Sequence, residues 1–302
     1  VYKFPAEPQT FKAYPDGQCC SYDLQWGPWG NPVDDDFAMQ EDHAWTMGQF
    51  VWSGFDYLGE PSPYDAYWPS RSSYFGIIDL AGLPKDRYWL YRSQWNPDSP
   101  TLHVLPHWTW PGREGEVTPV FCYTTWPEAE LFINGRSLGR KGKDPASRFD
   151  RYRIRWLEAV YEPGEIRVVA YDGNGKAVAE KTVRTAGAPS QATLVAERTE
   201  IPRSRAGDTP ALAFIEVDVV DADGTLCPDA DCYFTFTAGG AISFKGACNG
   251  DATSLQSFTA GTMRAFHGRL VAVVEAARTP GSGTLTVTAA GLPEKRIDFR
   301  VV

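Results

Sequence analysis

From residue 102 to the C-terminus, apolar and polar side chains alternate in short runs. Stretches 102–105, 118–123, 129–133, 152–156, 165–171 and 177–184 read as short strands, with alternation clearest at Tyr152-Arg-Ile-Arg-Trp156. Asn134-Gly135 and Asp172-Gly-Asn-Gly175 supply the residues that tight hairpins need. After the short linker 186–190 the style repeats at 192–197, 213–220, 233–237, 270–275, 284–288 and 296–301, with Asp221-Ala-Asp-Gly224 as a turn. Strands at this spacing predict two immunoglobulin-like β-sandwich domains, over 98–187 and 190–302.

Residues 1–97 follow a different pattern. Asp34-Asp35-Asp36 predicts a helix running to about Trp45, with its acids at the positive end of the dipole. A second helix is expected over 84–94, with Pro84 in its first turn. Between them, 49–52 reads as a buried strand that opens into a loop rich in rings, carboxylates and turn residues. Such a strand end is how a (β/α)8 barrel presents a substrate site. One or two strands and two helices cannot close a sheet, so this segment is expected to pack on elements outside it, from the same polypeptide or another. The fold class is therefore mainly β: a partial (β/α)8 barrel tail at 1–97, followed by two immunoglobulin-like β-sandwich domains.

Composition narrows the function. Hydrophobic residues make up 43%, charged residues 22%, and the formal charge is −9 with no basic cluster, which argues against nucleic acid or an anionic membrane surface as partner. No apolar run approaches the roughly 20 residues of a membrane helix. Nine of the eleven tryptophans lie in the first 110 residues and none follows Trp156, so a ring-lined functional segment is joined to plainer scaffold. The sequence starts at Val1 without a signal-like segment and is expected to be cut from a longer polypeptide. The six cysteines lack paired Cys-x-x-Cys spacing, so no zinc site is expected; Cys227 and Cys232 could close a small disulfide loop.

Candidate chemistry gathers near residue 52. An indole can cover the C–H face of a sugar while hydroxyls reach polar neighbours, which makes Trp52 the first candidate; the alternative is a core tryptophan. Trp68, Trp26 and Trp29 are weaker candidates for the same role and are expected to pack. Asp56 and Glu60 lie four apart beyond the strand and could recognise hydroxyls, cap turns or serve as a glycosidase pair. His43, His103, His107 and His267 show no metal or triad spacing, and no cofactor or metal is expected. The exposed-looking loop His107-Trp-Thr-Trp-Pro-Gly112 suits a cleft border or an interface, and the basic residues of 136–143 surround hairpin turns and read as solvated surface.

Several long motifs then become familiar together. Gly48-Gln-Phe-Val-Trp-Ser-Gly-Phe-Asp-Tyr-Leu-Gly-Glu-Pro61, Trp68-Pro-Ser-Arg-Ser-Ser73, Tyr74-Phe-Gly-Ile-Ile-Asp79 and Gly82-Leu-Pro-Lys-Asp86 resemble the barrel end of glycoside hydrolase family 2, in its bacterial β-galactosidases. Leu102-His-Val-Leu-Pro-His-Trp-Thr-Trp-Pro-Gly112, Ala129-Glu-Leu-Phe-Ile-Asn-Gly135, Leu212–Asp221 and Asn249-Gly-Asp-Ala-Thr253 resemble the β-domains that follow the barrel there. The resemblance implies retaining hydrolysis of a β-linked galactoside or oligosaccharide by two glutamates, both on polypeptide preceding a segment like Val1–Pro5. It also implies a sugar-lining role for Trp52, the remainder of the catalytic barrel as partner, and a periplasmic or secreted setting. The isolated chain is then expected to be catalytically silent. A non-catalytic carbohydrate-binding or adhesion module is the other reading, although 190–302 lacks the tryptophans such modules use; a structural spacer would suit only the last domain.

Overall fold

The structure, a computed structural model, describes residues 2–5, 9–10, 14–205 and 207–302; Val1 lies outside them. It is mainly β and divides into two compact units, Val1–Asp79 with Pro84–Thr185, and Leu80–Leu83 with Ala186–Val302. In the first, β1 (Gln9–Thr10), β2 (Gln25–Trp26), α1 (Val33–Asp42) and α2 (Asp86–Trp95) precede seven strands. These are β3 (Leu102–Leu105), β4 (Val120–Thr124), β5 (Glu128–Ile133), β6 (Arg136–Gly142), β7 (Ile154–Trp156), β8 (Glu165–Tyr171) and β9 (Ala177–Arg184). They form two antiparallel sheets, ordered β3-β4-β7 and β6-β5-β8-β9.

Alternation places Ala129, Leu131, Ile133, Ile166 and Val168 on one face of the second sheet, where they pack with Val104, Val120, Cys122, Ile154 and Trp156 of the first. Trp108, expected in an exposed loop, is instead fully buried in this core, and its indole N–H donates to the Glu162 carbonyl at 2.9 Å. A large ring with one polar edge can plug a core when that edge finds an acceptor. The basic stretch 136–143 is mostly exposed, as expected, and its residues Arg136–Gly142 form the edge strand β6, which the sequence pattern did not mark. Charged side chains along an edge suit a strand that must not recruit another.

All five residues of β4 are buried, which breaks the alternation. The reason is a layer on each side of the sheet. Phe121, Tyr123 and Leu105 face away from the sandwich core and pack with Tyr22, Leu24, Val33, Phe37, Leu90 and Tyr91 of the N-terminal segment. This segment, expected to depend on elements outside it, thus uses the outer face of β3-β4-β7 for one of its own faces.

The three acids at the start of α1 do not cap it. Pro32 occupies the N-cap with no side-chain cap bond. Asp34 is buried and ion-paired with Arg153, whose guanidinium is also fully enclosed. Arg148 grips Asp35 through two nitrogens at 2.7 and 2.5 Å, and Arg151 pairs with Glu41 at 2.8 Å and Asp42 at 2.7 Å. Tertiary charge pairing has overridden local capping. Burial pushes the Asp34 carboxyl up to about 6 against the pull of Arg153.

The second unit contains β10 (Gln191–Ala196), β11 (Glu200–Ile201), β12 (Leu212–Val220), β13 (Tyr233–Gly240), β14 (Ile242–Cys248), β15 (Thr262–Arg264), β16 (Arg269–Ala276), β17 (Gly281–Ala289) and β18 (Leu292–Val301). Its sheets run β10-β12-β16-β14 and β11-β18-β17-β13-β15, and residues such as Ile215, Val217, Phe234, Leu270, Ala272, Leu285 and Val287 share one buried core. All six cysteines are free thiols, so Cys227 and Cys232 are not bridged. No helix among the described residues is long and apolar enough to cross a membrane.

Removing one member of a buried ion pair leaves an uncompensated charge. Arg153→Met is expected to lower unfolding stability by about 3–5 kcal/mol in urea denaturation, whereas Asp34→Leu combined with Arg153→Met recovers most of the loss. Single-variant losses below about 1 kcal/mol, the scale of an exposed pair, would contradict this role.

Candidate functional site

Residues 49–52 do not form the expected strand. The described structure contains only isolated bridges here, Phe55 with Ile78 and Leu58 with Ser72. Phe50 is 105% exposed, and Trp45, Met47, Trp52 and Phe55 are exposed as well. A strand-like apolar sequence needs neighbours to take up its backbone groups and cover its rings. Without them residues 49–52 form no strand or bridge.

Order begins at residue 53, where the chain runs beside 71–78. Ile77 and Ile78 donate to the carbonyls of Ser53 and Gly54 at 3.1 and 3.0 Å, and Asp56 donates back to Ile78 at 2.9 Å. Ser73 N–H bonds to the Tyr57 carbonyl at 2.8 Å, and Gly59 N–H to that of Arg71 at 3.0 Å. The approach is tight at Gly76, where an added Cβ would lie 2.1 Å from the backbone nitrogen of Asp56. Only glycine fits there.

The candidate residues separate at this crossing. The Asp56 side chain turns inward, accepts from Gly76 N–H at 2.9 Å and pairs with the Lys85 ammonium at 2.5 Å, leaving its carboxylate 4% exposed. Burial holds its pKa above the ordinary carboxylate value, and Lys85 offsets part of that rise. Asp56 is thus a buried brace between the loop and the start of α2. Trp52 and Glu60 lie on the open side and are joined by a residue that the sequence pattern did not single out. The Trp52 indole N–H donates to the Tyr57 hydroxyl at 3.0 Å, and that hydroxyl donates to the Glu60 carboxylate at 2.5 Å. The bond to Glu60 holds the Tyr57 phenol above its usual pKa. The Trp52 and Tyr57 rings are perpendicular, 6.3 Å apart; the indole N–H lies in its ring plane, so the Tyr57 oxygen bound to it sits at the ring's edge, and Trp52 is 73% exposed.

Other rings are distributed differently. Trp68 is exposed rather than packed; Trp29 is exposed and meets Phe75 edge-on at 6.2 Å; Trp26 is half-buried beneath the Arg148 guanidinium. His43 stacks with Trp45, His103 with Trp89, and His107 with Trp110, while His267 meets Phe266 edge-on. Among the described residues, no group of three or more His, Cys, Asp or Glu could hold a metal ion. This surface offers a ring platform with a phenol and a carboxylate at its edge, an arrangement suited to gripping a polyol rather than to breaking a bond.

The chain is similar to known proteins over most of its length. Residues 193–298 match the glycoside hydrolase family 2 C-terminal domain 5, and residues 115–179 match a domain of unknown function, DUF4982. The β-galactosidase BoGH2A of Bacteroides ovatus is 42% identical over 276 residues, which are 91% of this chain and 31% of that protein. A provisionally named β-glucuronidase of Formosa agariphila is 33% identical over 86% of the chain and 24% of its own length. Among solved structures, a β-glycosidase from Bacteroides vulgatus superposes with a TM-score of 0.82 at 36% identity, over 93% of this chain and 34% of the other. The chain thus spans about a third or less of each relative.

A raised folded-state pKa at Asp56 means that its ionised form costs stability, a cost absent below the unfolded value and felt as pH rises through the folded one. Lys85→Met removes the compensating charge. It is expected to lower stability by about 3 kcal/mol at neutral pH and by progressively less in acid, as Asp56 takes a proton. Urea midpoints of variant and wild type compared across pH check this; a difference that does not change with pH would contradict it.

Proposed function

We propose that this chain, which belongs to glycoside hydrolase family 2, is the C-terminal portion of a retaining β-galactosidase. In this reading residues up to 97 close a (β/α)8 catalytic barrel, Trp52 lines the sugar subsite, and the sandwiches beyond are accessory domains. The observation that carries it is the Trp52 indole, held by its N–H and largely exposed at the edge of an apolar surface. A galactopyranoside presents C–H bonds on one face that an indole can cover.

Retaining hydrolysis needs an acid/base carboxyl and a nucleophilic carboxylate about 5 Å apart. Neither acid near Trp52 is free for such work. Asp56 is enclosed with Lys85, and Glu60 is engaged by Tyr57. We therefore place both reacting glutamates in the part of the relatives that this chain does not span. Residues 49–52 would then pair as a barrel strand once those neighbours are present, covering Phe50 and Met47. A galactoside is favoured over a glucuronide because the β-galactosidase relative is the more similar, 42% against 33% identical.

Two chromogenic substrates, a β-galactoside and a β-glucuronide, test the reading. The complete polypeptide is expected to prefer the galactoside, and pure 1–302 to hydrolyse neither. In the complete polypeptide, Trp52→Ala is expected to lower kcat/KM by about 10- to 100-fold, the loss of a stacking contact worth about 1.4–3 kcal/mol. Turnover by 1–302, or full activity without the indole, would contradict the proposal.

A further inference from the structure

An exposed indole has little packing to fix its rotamer, yet a sugar platform works only if its plane is set before the ligand arrives. At Trp52 the plane is set by a hydrogen-bond chain whose direction follows from chemistry. An indole N–H can only donate, so the Tyr57 oxygen accepts from it, at 3.0 Å. The single phenolic proton is thereby left for another partner. An ionised carboxylate can only accept, and Glu60 Oε2 takes that proton's bond at 2.5 Å. An anionic acceptor draws the phenolic proton and leaves the oxygen a better acceptor for the indole.

Tyr57 itself is fixed independently of its side chain. Its N–H donates to the Ser73 hydroxyl at 3.1 Å, and its carbonyl accepts from Ser73 N–H at 2.8 Å and from the Ser72 hydroxyl at 3.3 Å. Ser72 and Ser73 are both buried, so the phenol extends from an anchored backbone. The phenol oxygen meets the indole at its in-plane N–H, at the ring's edge, and Trp52 stays 73% exposed.

We infer that Tyr57 is a positioning residue for Trp52, and that Glu60 acts on the platform through the Tyr57 hydroxyl rather than by binding sugar directly. The inference rests on the assignment of Trp52 as the sugar platform. It adds a residue that neither the sequence pattern nor the spacing of the acids marks.

The test uses chain 1–302 labelled with ¹⁵N at its tryptophan indoles, with the Trp52 Nε1–H resonance identified by its loss in Trp52→Phe. Tyr57→Phe is expected to move that proton resonance upfield, toward a water-exposed indole. Glu60→Gln is expected to move it in the same direction by less, since an amide oxygen still accepts the phenolic proton. The resonance of Trp89, which stacks on His103 away from this chain of bonds, is expected to stay in place and report that the fold is intact. In the complete polypeptide, Tyr57→Phe should reduce kcat/KM about twofold to tenfold, the worth of one hydrogen bond. A Trp52 resonance unmoved in both variants overturns the tether. Peak shifts as expected with kinetics indifferent to Trp52→Ala would leave the tether standing and overturn the sugar assignment instead.

Discussion

A guanidinium sealed from water beside a sealed carboxylate fixes the first unit. Arg153 enters from the loop before β7 and meets Asp34 in the first turn of α1, with Tyr123 and Phe149 alongside. Such a pair adds little net stability compared with apolar residues of the same size, but neither partner tolerates losing the other. It therefore acts as a register pin. It specifies where the helical layer sits on the outer face of β3-β4-β7, and flanking pairs from Arg148 and Arg151 extend the match along α1.

That placement is transmitted to the ring platform through a short series of contacts. Phe37 on α1 packs edge-on against Tyr91 on α2, with ring centroids 5.4 Å apart. The residue preceding α2 is Lys85, whose ammonium reaches Asp56. Asp56 lies next to Tyr57, and Tyr57 holds Trp52. These contacts thus connect the scaffold at residue 153 with the indole at residue 52.

The sequence was legible where local rules govern. Short strand-like runs located most sandwich strands, with β3, β8 and β9 falling on the expected residues. They missed β6, whose Arg-Ser-Leu-Gly-Arg-Lys-Gly sequence has almost no apolar face to detect. The acids of α1 were misread since capping is a local rule, whereas Arg153 lies more than a hundred residues away. Trp108 looked exposed among polar and turn residues, yet its indole seals a core. At the candidate site, Trp52 is proposed from ring chemistry and resemblance. The inward turn of Asp56 depends on Lys85 and Gly76, and the role of Tyr57 depends on a crossing of two loops; neither has a one-dimensional signature.

The central claim is that a pre-set indole at position 52 forms one side of a galactoside site completed by other polypeptide. The most direct measurement is a crystal structure of the complete polypeptide with galactose bound. The account expects one face of the Trp52 indole in van der Waals contact with the C–H face of the sugar, and residues 49–52 paired as a strand. Galactose bound elsewhere, with the Trp52 ring enclosed by protein alone, would contradict it.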